Sequence, residues 1–188
     1  MVAGLQGPDD VPYLRDMSAE SRARDAEQKE ELGRKFNDVS VRLAWMERMG
    51  VDLQVVAPAP GQQHYWAPAD VLVAHSARQN DHVAALVAKA PDRMVGVGTL
   101  PMPDPAAAVA EARRAAALGL RAFQSDARVL DRELSDRALD PVWATLEELG
   151  TGLMIHPLGF SHGERLTPFF MVNSVAQPLE ELIAFNHL

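Results

Sequence analysis

The 188-residue chain has no cysteine. That excludes a disulfide framework, a thiolate nucleophile and any cysteine metal site. Positive charge is also scarce: 18 Lys and Arg stand against 26 Asp and Glu, for a formal net charge of -8 and no basic cluster. No nucleic-acid or anionic-membrane partner is therefore expected. No apolar run approaches the ~20 residues of a membrane span. The opening residues carry Gly4, Gly7, Pro8 and Pro12, not a basic segment leading into an apolar one, so no secretory signal is read. A soluble cytoplasmic protein is the expectation. Three nucleotide and hydrolase signatures are missing too: G-x-G-x-x-G after a strand, a P-loop, and a G-x-S-x-G elbow.

What is present divides at about residue 36. Residues 1–35 read as an irregular or charged N-terminal arm. Within it Asp25/Lys29, Glu30/Arg34 and Glu31/Lys35 sit at i,i+4 and support a solvated helix with a thin apolar face. Residues 36–188 read as one globular domain. Asp38 is placed to cap a helix with Val39, Leu43 and Met46 on one face, ended by Gly50. A strand is predicted over Val51–Ala57, closed by Pro58-Ala59-Pro60-Gly61. His64 follows in that loop, where it either faces a substrate or packs at the surface. A long helix runs from about Pro68 to Ala90; His75 and His82 read as histidines of its surface. The next predicted strand, Arg93–Thr99, contains Gly96 and Gly98, which permit close helix approach.

The punctuation then repeats. Asp104 caps, Pro105 opens an Ala-rich helix and Gly119 stops it, ahead of a short strand from Leu120 to Gln124. Asp140 is read as a cap, Pro141 opens a helix with Val142, Leu146 and Leu149 aligned, and Gly150 closes it. The last strand, Leu153-Met154-Ile155, reads as buried on both faces and ends at His156-Pro157. Leu158–Gln177 is predicted to be a loop of about 20 residues, long enough to suggest a lid. It carries His162, Arg165, Phe169, Phe170 and Asn173. A final helix opens at Pro178 with Leu179, Leu182 and Ile183 on one face.

Alternating helices and strands, four strands in all, indicate βαβ units and a parallel sheet. The class is α/β, and a (β/α)8 TIM barrel is preferred over a doubly wound sheet. A closed barrel typically takes about 250 residues, so about half of one is expected here. In such barrels the C-terminal strand ends point into the active site. His156 occupies that position, as a metal ligand, a proton carrier or a core histidine.

Several stretches together resemble the amidohydrolase-related family, in particular its aminocarboxymuconate-semialdehyde decarboxylase-like branch. They are Met49–Val56, Asn80 followed by Pro91-Asp92-Arg93, Thr99-Leu100-Pro101, Leu139–Trp143, Glu148-Leu149-Gly150, Ile155-His156-Pro157, and Asn173 with Gln177–Glu180. The resemblance runs from about Phe36 to Leu188. It implies a metal-dependent barrel of which this chain supplies about four βα units, strands 2 to 5, and it implies that His156 is the metal ligand closing the fifth strand. It also implies a His-x-His at the first strand, a later His and an Asp, none of which this sequence supplies. The chain is therefore expected to be a partial sequence of a longer enzyme.

The activity implied is decarboxylation of an unsaturated or aromatic carboxylic acid with a divalent metal, zinc expected. The alternatives are a metal-dependent hydrolase of a lactone or amide, and a non-catalytic fragment or interaction domain that associates through open edges. Arg165 is a candidate for the substrate carboxylate, because guanidinium pairs bidentately with it; a surface arginine is the competing reading. His64 is the other substrate-binding candidate. Phe169 and Phe170 could shield the site from water. No general acid or base is assigned from sequence. A small-molecule carboxylic acid is the expected partner, and a homo-oligomer the expected assembly.

Overall fold

The computed structural model describes residues 18–158, 166 and 171–188. Its elements in chain order are α1 (Ala19–Asn37), α2 (Val39–Met49), β1 (Gln54–Val56), a 3-10 turn (Pro60–Gln62), α3 (Ala69–Val87), β2 (Met94–Thr99), α4 (Pro105–Ala117), β3 (Ala122–Ser125), β4 (Arg128–Val129), β5 (Arg132–Glu133), a second 3-10 turn (Arg137–Leu139), α5 (Asp140–Leu149), β6 (Gly152–Ile155), a π-helical turn (Val172–Ala176) and α6 (Gln177–His187). The main sheet has four strands in the order β1-β2-β3-β6, all parallel. Strand order follows chain order, with α3, α4 and α5 as the crossovers, as in one arc of a barrel.

The helix boundaries follow local chemistry. The Asp38 carboxylate accepts from the backbone N–H groups of Ser40 and Val41, and Gly50 closes α2 at φ 66°. Asp104 accepts from the Ala107 N–H and Pro105 is the first residue of α4; such a cap contributes about 1 kcal/mol. Gly150 ends α5 at φ 61°, two residues before β6. Along α4, Ala108, Ala112 and Ala115 are fully buried, and small side chains let α5 come close. The core combines Leu72, Leu100, Met102, Leu120, Phe123, Leu139, Val142 and Leu146.

Gly96 and Gly98 face the helices, as expected. A Cβ on Gly96 would meet Leu120 at 2.5 Å, and one on Gly98 would meet Asn80 Oδ1 at 2.7 Å. Alternation puts Val95, Val97 and Thr99 on the opposite, inner face, in register with Ala122 and Gln124 of β3 and with Gly152 and Met154 of β6.

Five expectations are corrected. Strand β1 is shorter than Val51–Ala57, because the Val51 and Asp52 carbonyls accept from the Arg93 guanidinium instead of joining a ladder. Strand β6 is not buried on both faces: Leu153, Met154 and Ile155 are only partly buried and Gly152 is exposed. It is the last strand of the described sheet, paired on one side only among the described residues. Asp140 is the first residue of α5 rather than its cap; the carboxylate that caps here is Asp136, one turn earlier, through the Ala138 N–H. The buried face of α6 is Glu180 and Ala184, continuing from Ala176, whereas Leu182 is 60% exposed. The Leu158–Gln177 stretch is not loop throughout, since Val172–Ala176 winds into the π turn. The β4–β5 hairpin after β3 was not legible, its strands being two residues each.

Candidate functional site

In a parallel sheet every strand delivers its C-terminal end to the same rim. Here that rim carries Ala57-Pro58 after β1, Thr99-Leu100 at β2, Ser125-Asp126 at β3 and His156-Pro157 after β6. The Gln124↔Met154 pairing places Asp126 and His156 one inner-face step further on. The ladder continues to this point, since the His156 N–H donates to the Ser125 carbonyl at 2.8 Å.

His156 is partly buried, and its Nδ1 lies 3.0 Å from the Pro157 carbonyl. A carbonyl only accepts, so Nδ1 carries the proton and Nε2 keeps its lone pair. Metal-binding histidines take this form, with the ligating nitrogen opposite an anchored N–H. The residue therefore fits a divalent metal as one ligand. Among the described residues no group of three or more His, Asp or Glu is spaced to hold an ion, and a catalytic zinc takes three protein ligands plus water.

Asp126 is the rim residue that sequence reasoning missed. Its Oδ1 accepts from the Ala127 N–H at 2.7 Å and the Leu158 N–H at 3.0 Å. One carboxylate thus ties the end of β3 to the turn that holds His156. Burial pushes its pKa up to about 6, and the N–H bonds only partly oppose this. The signal was weak: Ser125-Asp126 reads as an ordinary polar loop. Behind it, Tyr65 is buried and its O–H donates to Ser125 Oγ at 3.4 Å. Burial also pushes the phenol well above its usual range. On the inner face Gln124 donates to the Pro58 carbonyl at 3.0 Å. Its Oε1, like Thr99 Oγ1, is buried without a partner. An open space of about 790 Å3 runs along β1 and reaches Gln124 and Met154 but is not lined by His156.

The Asp126 geometry predicts a pH effect in the metal-free chain. A carboxyl raised from 3.8 to about 6 favours the fold in its protonated form. That contribution is complete below pH 3.8 and is lost as the pH rises through about 6. Asp126→Asn keeps the acceptor oxygen and removes the charge. It should stabilise the chain at pH 7 by up to about 3 kcal/mol and by little at pH 3.5. Urea midpoints of both proteins across pH 3.5–8 check this; parallel curves would refute it.

His64 is not brought to His156. It sits in the loop after β1 at φ 52°, its ring edge-on to Trp66 at 5.1 Å and 4.8 Å from the ring of His75. His75 is accordingly not a plain surface residue: it is partly buried and bonded to the Gln62 carbonyl, whereas His82 is exposed. His162, Arg165, Phe169 and Phe170 lie outside the described residues, and Asn173 is exposed on the π turn. No helix among the described residues is long and apolar enough to cross a membrane.

Comparison with known proteins agrees with this geometry. The amidohydrolase family model matches residues 31–183. The 2-amino-3-carboxymuconate-6-semialdehyde decarboxylase of Dictyostelium discoideum is 32% identical over 148 residues, covering 78% of this chain and 41% of that protein. The 5-carboxyvanillate decarboxylase of Sphingomonas paucimobilis superposes with a TM-score of 0.68 at 30% identity, over 78% of this chain and 44% of that one. That of Novosphingobium aromaticivorans, solved with manganese and 4-hydroxy-3-methoxy-5-nitrobenzoic acid, gives 0.70 at 28% identity over 77% and 42%. The chain thus spans about two fifths of the length of these relatives, and its four parallel strands form part of their barrel. A family match over most of the chain, a parallel sheet with its chemistry on one rim, and a histidine closing the last strand together make this chain a member of the amidohydrolase family.

Proposed function

We propose that the chain is part of a metal-dependent decarboxylase acting on an aromatic or unsaturated carboxylic acid, with residues 36–188 as barrel and 1–35 as an arm. The observation carrying this is His156, anchored through Nδ1 and presenting Nε2 at the rim, on a sheet shared with relatives named as decarboxylases of such acids. His156 would hold the metal together with ligands outside the described set. A divalent metal held there would polarise substrate oxygens and acidify water. The manganese in a relative supports a divalent ion; zinc is the reading carried from sequence. Asp126 fixes the His156 turn, and the Ser125–Tyr65 pair closes the rim behind it. Arg165 would meet the substrate carboxylate. A cytoplasmic homo-oligomer is part of the same proposal.

The test is carbon dioxide release from carboxyvanillate-type and muconate-type acids, with manganese and zinc assayed separately, by the coding region expressed with its flanking sequence. No release at full metal occupancy overturns the reading, and lactone or amide turnover instead selects a hydrolase. In the same protein His156→Ala should weaken metal binding by more than the roughly 10–100-fold that loss of a partner behind a ligand costs. Equilibrium dialysis with metal analysis measures it. Undiminished metal in the variant would make His156 a core histidine.

A further inference from the structure

We propose that His64 and His75 form a separate binding site for an imidazole-preferring divalent transition metal of the zinc class. Four observations converge. The two ring centres are 4.8 Å apart, with planes inclined at 54°. Two imidazoles sharing one ion at Zn–N distances of about 2.0–2.1 Å have ring centres roughly 4.5–5.2 Å apart, which brackets the separation found.

The nitrogens are also in the right state. His75 Nε2 lies 3.1 Å from the Gln62 carbonyl, which only accepts. Nε2 therefore carries the proton and Nδ1 holds the lone pair, the anchored tautomer of a metal-binding histidine. His64 Nδ1 is buried and has no hydrogen-bond partner. Both rings stay neutral near pH 7, burial holding His64 at about 4 and lowering His75. No proton then competes with the ion.

A third lone pair belongs to the same cluster. Gln79, one helical turn after His75, donates through Nε2 to both the Gln62 carbonyl and Gln62 Oε1, at 3.2 Å each. Its Oε1 is left buried and unpartnered. Finally, His64 holds a left-handed backbone at φ 52°, which non-glycine residues enter rarely and at a cost. Two imidazoles and one amide oxygen, completed by water, suit zinc, nickel or copper better than magnesium or calcium. The site does not depend on the decarboxylase reading, because that reading assigns a role to neither histidine.

Trp66 supplies the test, since its ring touches that of His64. Nickel(II) titrated into the 188-residue chain should quench tryptophan fluorescence, saturate at one ion per chain and be displaced by zinc. Trp66→Phe should remove most of the quench while calorimetry still shows binding. His64→Ala and His75→Gln should each weaken binding at least tenfold, and His156→Ala should leave it unchanged. If His64→Ala fails to fold by circular dichroism, His75→Gln decides alone, because His75 sits on a long helix that does not need it. No saturable quench, a quench indifferent to His75→Gln, or one lost in His156→Ala overturns the proposal.

Discussion

Asn80→Ala should cost about 4 kcal/mol, close to the whole stability of a marginal domain. Asn80 is fully buried on α3. Its Oδ1 accepts from the Thr99 N–H at 2.8 Å, and its Nδ2 donates to the Thr99 carbonyl at 2.9 Å and to Glu111 Oε1 at 2.6 Å. Strand β1 stops opposite Gly96, so the end of β2 has no strand on that side at Thr99. The asparagine amide takes the place of the missing strand, matching one N–H and one carbonyl. Alanine would leave both Thr99 backbone groups without a partner, each worth about 1–3 kcal/mol, while Glu111 keeps its two bonds to Arg114. Asn80→Asp, equal in size, should be at least as damaging: it loses both donors and sets a second carboxylate against Glu111. Urea unfolding followed by circular dichroism measures both, and a loss under 1 kcal/mol in either would dismiss the clamp.

Gly98→Ala should cost about 3 kcal/mol, at the upper end of overpacking losses. The added Cβ would lie 2.7 Å from Asn80 Oδ1, 2.9 Å from Leu120 Cδ1 and 3.0 Å from Phe123 Cδ1. None of the three can yield: Leu120 and Phe123 are buried in the core, and Asn80 is fixed by its bonds. The two sites share an atom, so their effects should not add. In an Asn80→Ala background the contact with Oδ1 is gone, and Gly98→Ala should cost about 1–2 kcal/mol less than in the parent. Strict additivity would show that the clash is with the hydrophobic neighbours alone.

The order of elements was legible because its signals are local. Asp38 and Gly50 bracket α2, and Pro105 and Gly119 bracket α4 and its exit, wherever the rest of the chain goes. The glycines of β2 likewise announced a close helix. What was not legible depends on partners distant in sequence. Arg93 shortens β1 from some forty positions away, at the Val51 and Asp52 carbonyls. The buried face of α6 was misjudged because Glu180, not Leu182, turns inward. The position of His156 just past β6 was legible, because the apolar run ends there ahead of Pro157. Asp126 was not, because its role is to accept the Leu158 N–H from 32 residues away. His64 and His75 are 11 positions apart, in a loop and a helix, and only the fold makes them neighbours.

The parallel order of the sheet separates two kinds of inherited change. Every strand enters from the end opposite the rim, and most of the side chains that hold the layers together, such as Leu72, Phe123, Val142 and Leu146, belong to the helices and strands, although Leu100 and Met102 lie just past β2. The rim is made of residues that follow the strands, in segments free to lengthen or change composition. A substitution among Leu120, Phe123 or Val142 alters how many molecules are folded, in proportion for every substrate. A substitution at an exposed position of the rim segments leaves that core intact. A family built on this plan can diversify by rewriting the exposed parts of one end of the sheet while the buried core between sheet and helices stays as it is.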